Sequence, residues 1–200
     1  WVMRRASEQA LGLPNHVQVA INVSADQFRS PRILETLREV LAKTQLEPQR
    51  LSLEITETVI LSSETVAKRV LGRLGEMGIA VALDDFGTAY SSLSYLQKFS
   101  FNKVKIDKSF VRGMFDIPAD MAVVRAIIGI GRDLGIEIVA EGVENRMQME
   151  RLAREGCKRM QGFYFSKPKP FSEVCSDLAV SQITPLLDSQ PPSSRRHYRS

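Results

Sequence analysis

The sequence predicts a parallel α/β barrel of which six strand–helix units are visible, on three observations. Short apolar strands alternate with helical stretches along the chain, the pattern of parallel α/β folds. Glycine follows the helical stretches at Gly78, Gly135 and Gly156, where a left-handed residue lets each helix turn directly into the next strand. Within the strands, large aliphatic side chains keep one parity and small or polar ones keep the other. Open doubly wound sheets bury both faces and read as near-continuous apolar runs. These strands do not. A closed barrel, with aliphatics outward against helices and polar groups inward, accounts for them.

The elements follow in order. A helix from Trp1 onward looks like the middle of a unit, and the chain opens on Trp1 rather than Met, as a piece of a longer protein would. The first strand runs from Val17 to Ser24, with Val17, Val19, Ile21 and Val23 outward. Ser30-Pro31 predicts a capped helix start with Pro in the first turn, and Ile33, Leu34, Leu37, Val40 and Leu41 follow at helical spacing. The second strand covers Leu51 to Thr56, and Val66, Val70, Leu71, Leu74 and Met77 form the next apolar stripe. Ile79 to Asp85 and Lys103 to Asp107 are strands three and four, with a short helix around Ser91 to Phe99 between them. A helix from Pro118 to Leu134 precedes strand five, Ile136 to Gly142; another from Asn145 precedes strand six, Lys158 to Phe165. A last helix starts near Ser172. After about Val180 the composition shifts to Ser, Gln, Pro and Arg, so 1–180 reads as one domain and 181–200 as a disordered tail. Eight strands close such a barrel, so the expected fold is a (β/α)8 TIM-type barrel, incomplete here by its first one or two strands.

Composition narrows the function classes. At 44% hydrophobic and 25% charged residues, the chain can bury a core without disulfide or metal staples. Cys157 and Cys175 are too few for a disulfide framework and fit a reducing cytosol. No apolar run reaches the roughly 18 to 20 residues of a membrane span, and the start has no signal-peptide pattern. The expected location is cytoplasmic, with any membrane anchor upstream. Of the net charge of +4, half comes from Arg195, Arg196 and Arg199 set against Asp188, which leaves no nucleic-acid footprint in the domain.

Near its C-terminal end each strand carries one reactive group: Asn22, Glu54, Asp84, Lys105 and Glu141, all on the inward parity, and Gln161 in the sixth. Active sites of (β/α)8 barrels sit at that end. Carboxylates so close together repel unless cations neutralise them. Asn22, Glu54, Asp84, Asp85 and Glu141 offer only hard oxygen ligands, which favours Mg²⁺ or Mn²⁺ over zinc. His16 and His197, the only histidines, lie away from the strand ends. The adjacent Asp84-Asp85 pair suits two ions, one carboxylate bridging both while its neighbour binds the second. Two-metal sites of that kind cleave phosphoryl bonds. Lys105 among the carboxylates can hold the attacking water or neutralise phosphate charge. No nucleophile–histidine pair supports a serine or cysteine hydrolase.

Six segments then resemble one family in order and spacing. They are Asn22-Val23-Ser24, Glu54-Ile55-Thr56-Glu57, the run from Asp84-Asp85-Phe86-Gly87 to Leu93, Lys105-Ile106-Asp107, Ala140-Glu141-Gly142-Val143-Glu144, and Gln161-Gly162-Phe163 to Pro168. Together, over roughly Trp1 to Val174, they resemble the EAL-domain family. The resemblance implies hydrolysis of the bacterial second messenger cyclic di-GMP to linear pGpG with Mg²⁺ or Mn²⁺. It implies that Asn22, Glu54 and Asp84 ligate one metal, and that Asp84 and Asp85 hold the second with Glu141. Lys105 would position the nucleophilic water, and Gln161 would contact the water or phosphate region. Glu57 would steady the loop after Asp84-Asp85, which lies near the usual homodimer contact. Glu144 would support its neighbours, and Asp107 would reach a guanine. Ala89 and Phe163 stand where the family often has glycine and tyrosine.

The family's name motif, Glu-Xaa-Leu-Xaa-Arg, is expected upstream of the first residue. The literal match at Glu150-Arg151-Leu152-Ala153-Arg154 falls inside a predicted helix and reads as coincidence. An upstream sensory or cyclase-like domain is implied for the parent protein. The alternative reading is a catalytically inactive module that binds cyclic di-GMP or a protein partner; the presence of Asn22, Glu54, Asp84, Asp85, Lys105, Glu141 and Gln161 together favours catalysis. The 200-residue chain alone is expected to hydrolyse little, because an open barrel exposes strand edges.

Overall fold

A computed structural model describes residues 1–88 and 93–183. The chain divides into two compact units after Pro168. The first holds six strands: β1 (Val19–Asn22), β2 (Leu51–Thr56), β3 (Ala80–Phe86), β4 (Lys103–Ile106), β5 (Glu137–Ala140) and β6 (Arg159–Met160). All neighbours pair in parallel and in chain order. The sheet curls into a half-barrel with helices alongside, as the strand parity predicts. Among the described residues, β1 and β6 each keep one unpaired edge.

Between the strands run α1 (Val2–Ala10), α2 (Ala25–Arg29), α3 (Ile33–Thr44), α4 (Glu57–Ser62), α5 (Glu64–Glu76), α6 (Leu93–Lys98), α7 (Lys108–Gly113), α8 (Pro118–Leu134) and α9 (Arg146–Arg154). The second unit contains α10 (Phe171–Ile183), which runs past the composition shift at Val180. The tail beyond Ile183 lies outside the described residues. No described helix is long and apolar enough to cross a membrane.

Leu51, Leu53, Ile55, Val81, Leu83, Val104 and Ile106 are all buried on the outward face of the sheet, in one core with Leu37, Leu74 and Val124 of the helices. The opposite, concave face encloses a cavity of about 670 Å³ whose walls include Ser52, Glu54, Lys103, Lys105 and Glu137. Apolar burial thus fixes which face looks inward, and period two places the polar groups there.

Two local expectations are corrected. The Ser30-Pro31 pair does not open α3, which starts at Ile33 with Arg32 at its N-cap. Ser30 instead ends α2, a short helix held by a capping box between Ser24 and Gln27. The sixth strand is also much shorter than Lys158 to Phe165. After Met160 the chain wraps around Val143, whose N–H donates to the Gln161 carbonyl at 3.1 Å while its carbonyl accepts from Tyr164 N–H at 2.9 Å. Gly162 makes this possible, because a Cβ there would lie 2.2 Å from the Val143 carbonyl oxygen.

Candidate functional site

At the C-terminal end of the strands, one ammonium draws three carboxylates together. Lys105 Nζ on β4 lies 2.7 Å from Glu54 Oε2 on β2, 3.0 Å from Asp84 Oδ1 on β3 and 2.6 Å from Glu141 Oε1 just after β5. Lys105 is only 5% exposed. Burial opposes its charge, but hydrogen bonds to Glu141 and Glu54 outweigh that and hold the ammonium above its ordinary pKa. Gln161 donates its amide to Glu141 at 2.6 Å from the β6 side. Burial pushes the Glu141 carboxyl above the usual range; Lys105 pulls it back, and the Asp84 and Glu54 charges push it further up.

Asp84 and Asp85 are consecutive, so a regular strand would point them to opposite faces. A bulge prevents this. On β3, Leu83 pairs with Val104 and Phe86 pairs with Ile106, so two residues of β3 face the single Lys105 of β4. Asp85 takes φ +53°, a left-handed conformation that Asp tolerates better than most side chains, and its N–H donates to Asp84 Oδ1 at 3.0 Å. Carboxylate oxygens of Asp84, Asp85 and Glu141 then all lie within 4.8 Å of one another. The Asp85 carboxyl is pushed up by burial first, and next by the charges of Asp84 and Asp107.

The remaining residues singled out by sequence frame this centre. Asn22 ends β1 in register with Glu54 and is exposed. Glu57, buried at the start of α4, accepts from Gly87 N–H at 3.1 Å, tying the chain after the bulge to the end of β2. Gly87 sits at φ +101° with the Phe110 ring where a Cβ would be. Asp107 caps α7 through Ser109 N–H at 2.9 Å and the Ser109 hydroxyl. Burial opposes its charge, yet the Ser109 hydrogen bonds hold its carboxyl below the usual range. Glu144 points elsewhere, pairing with Arg112 at 2.7 Å while its own N–H donates to Gln148. The Glu150–Arg154 segment is helical in α9, with Leu152 buried and Glu150 paired to Arg146. Of the loop from Phe86 to Ser92, residues Ala89 to Ser92 lie outside the described residues, and with them most of the expected homodimer contact.

The donor set fits a hard divalent cation. Three carboxylates share one ammonium and Asp85 adds a fourth beside Asp84 and Glu141, leaving excess negative charge in a partly buried pocket, and all offered ligands are oxygens. Residues 1–168 match the profile of the EAL domain. The chain belongs to the EAL-domain family. This EAL domain is 38% identical over 161 residues to the bifunctional diguanylate cyclase/cyclic di-GMP phosphodiesterase MucR of Pseudomonas aeruginosa, covering 80% of the chain and 24% of MucR. The solved MucR phosphodiesterase in complex with c-di-GMP superposes with a TM-score of 0.84 at 38% identity, over 87% of this chain and 72% of that one. The EAL domain of Mycobacterium smegmatis DcpA gives 0.84 at 37% identity, over 90% and 83%. Klebsiella pneumoniae BlrP1, solved with manganese and cyclic di-GMP, gives 0.74 at 33% identity, over 80% and 41%. The chain spans 21% to 30% of the length of the curated relatives it matches.

Sequence reading of this EAL domain missed a second polar layer beneath the first. Lys103, Glu137 and Arg159 line the same cavity, on the inward parity of Lys105, Glu141 and Gln161 and nearer the strand starts. The parity itself was the available signal.

Proposed function

We propose that this domain hydrolyses cyclic di-GMP to linear pGpG with Mg²⁺ or Mn²⁺, within a longer signalling protein that has an upstream sensory or cyclase-like domain. The observation that carries the reading is the bulge at Asp84-Asp85 beside Lys105, which turns two consecutive carboxylates toward Glu141. The MucR and BlrP1 complexes support the substrate, and the BlrP1 manganese supports the class of metal.

Asn22, Glu54 and Asp84 would hold one cation, and Asp84, Asp85 and Glu141 the second. When bound, the cations would supply Lewis-acid activation of the phosphodiester and of the attacking water. Lys105 orients that water and balances phosphate charge. Gln161 holds Glu141 from the β6 side. Water attacks phosphorus, the bond to the 3′ oxygen breaks, and the 5′ phosphate stays on linear pGpG. Glu57 keeps the loop after the bulge in place, Asp107 faces Asp85 toward a guanine of the substrate, and Glu144 acts as support away from the metals. Pairing of two such domains would use the loop after Asp84-Asp85.

The test is turnover by the full-length parent. We expect pGpG to form with Mg²⁺ or Mn²⁺, to stop on chelation and to resume when either ion is restored. Nucleotide that binds but stays uncleaved under those conditions overturns the reading in favour of a binding module. The 200-residue chain alone should turn over little, because the edges of β1 and β6, unpaired among the described residues, invite self-association.

A pH dependence follows. Glu141 and Asp85 are raised above their ordinary values of 4.5 and 3.8. Raised carboxyls favour the metal-free fold below their unfolded pKa values, and that contribution is lost as pH rises through the folded ones. Cations need the ionised forms, so Mn²⁺ should raise the melting temperature more at neutral than at mildly acidic pH. Equal shifts at both pH values would show that these carboxylates do not hold the ion.

A further inference from the structure

The lower layer of the trough is joined into a belt that crosses it. Lys103 Nζ at the start of β4 donates to Gln18 Oε1, just ahead of β1, at 2.7 Å. Gln18 Nε2 in turn donates to the Gln49 carbonyl, two residues before β2, at 2.8 Å. On the other side, Lys103 Nζ is 3.5 Å from Glu137 Oε2 on β5, and Glu137 Oε1 accepts from Arg159 Nε on β6 at 2.8 Å. The belt therefore runs from the entrance of β2 to β6.

Its Gln18–Lys103 bond joins strands that are not neighbours, since β2 and β3 lie between β1 and β4. In a flat sheet three spacings of about 4.8 Å would put those strands about 14 Å apart, with side chains parallel and pointing the same way. The hydrogen bond is compatible only with a sheet curled enough to turn the two side chains toward each other. Interior layers of (β/α)8 barrels are ordinarily filled by bulky branched side chains. Here the layer is Gln, Lys, Glu and Arg: the side chains of Lys103 and Glu137 are 25% and 35% exposed, while Gln18 and Arg159 are exposed. Solvent access accounts for polar side chains at Gln18 and Arg159; the half-buried Lys103 and Glu137 are the members held by directional partners across the trough.

The metal centre stands on the same strands, closer to their C-terminal ends. Lys105 is two residues beyond Lys103, Glu141 four beyond Glu137, and Gln161 two beyond Arg159. Glu54 on β2 and Glu141 after β5 reach the same ammonium from opposite sides, so their separation depends on how tightly the sheet is curled. We infer that Lys103 is a positioning residue for the carboxylate cluster: its tie to Gln18 and Glu137 sets the width of the trough, and so the convergence of Glu54, Asp84 and Glu141. The link to the cation rests on the metal-dependent function proposed above; the trough width does not.

Two measurements on the full-length parent separate those claims. The first is the distance between spin labels at the exposed positions Glu39 on α3 and Met147 on α9, in a background cleared of other reactive cysteines, Cys157→Ala and Cys175→Ser among them. Lys103→Met should lengthen and broaden the distribution, and Lys103→Arg should restore it. A distribution unchanged by Lys103→Met overturns the proposal whether or not any metal binds.

The second is Mn²⁺ affinity by titration calorimetry, with Glu54→Ala as the reference for a lost ligand. Lys103→Met should weaken binding about tenfold, as loss of outer partners of a metal site commonly does, with recovery in Lys103→Arg. Affinity kept within about twofold in Lys103→Met, while Glu54→Ala loses it, also overturns the positioning role. Failure of the unaltered parent to bind Mn²⁺ would instead count against the metal-dependent reading, and the label distances would then decide the role of Lys103. A merely structural defect would lower the melting temperature of both Lys103 variants without rescue by arginine.

Discussion

Lys105→Met is expected to lower cyclic di-GMP turnover by the parent about a thousandfold at saturating Mn²⁺, with a smaller change in KM. Methionine keeps the length of the side chain and removes the only ammonium between Glu54, Asp84 and Glu141. The reaction loses the group proposed to hold its water, and the carboxylates lose their shared counter-charge. Removing one partner of a buried ionic cluster costs about 3–5 kcal/mol, so the metal-free variant should also melt earlier. Mn²⁺ should recover part of that loss, because a cation neutralises the same carboxylates. Turnover within tenfold of the unaltered parent would remove Lys105 from the chemistry and leave it a structural counter-ion.

Arg50→Ala should be the most destabilising substitution away from the site. Arg50, 6% exposed, ends the 3-10 turn Pro48–Arg50 and points its guanidinium into the segment between α1 and β1. There Nη2 donates to the carbonyls of Ala10 at 2.5 Å, Leu13 at 3.1 Å and Pro14 at 3.3 Å. Nε reaches the Val17 carbonyl and Nη1 the Asn15 side chain, both at 3.3 Å. One planar fork thus ties the end of α1 to the segment that leads into β1, adding to the turn bonds from Leu13 N–H to Ala10 and from Val17 N–H to Pro14. Its loss should cost about 3–5 kcal/mol, or roughly 10 °C in melting temperature for a domain of this size. Arg50→Lys should recover little, since a single ammonium cannot span those five acceptors. A drop below about 3 °C in Arg50→Ala would mean that water replaces the guanidinium there.

Much of the fold and of the site is legible in the sequence. Glu54, Asp84, Lys105 and Glu141 follow from parity because side-chain alternation in a strand is geometric, and apolar burial decides which parity faces out. Asp85 is different. Nothing in a period of two brings a second consecutive carboxylate to the same side, and only the register slip between Leu83 and Phe86 does so. The short helices α2, α4 and α7 span five or six residues, too few for a helical stripe, and they declare themselves only through caps such as Ser24 and Asp107. Lys103, Glu137 and Arg159 keep the inward parity, but a charge at the start of a strand reads by default as solvated. Their partnership depends on curvature, which is a property of the whole sheet and not of any one segment.

The slip on β3 also bears on how such a site arises and is lost. Leu83 and Phe86 both face the outer core, one on each side of the slip. Excising Asp85 would leave Asp84 inward, Phe86 outward and the strand regular, with the pairing to β4 continuous. The second carboxylate is therefore a one-residue insertion that the sheet accommodates without rebuilding its core. On the proposed reading, a barrel that cleaves its nucleotide and one that only holds it can stand a single codon apart.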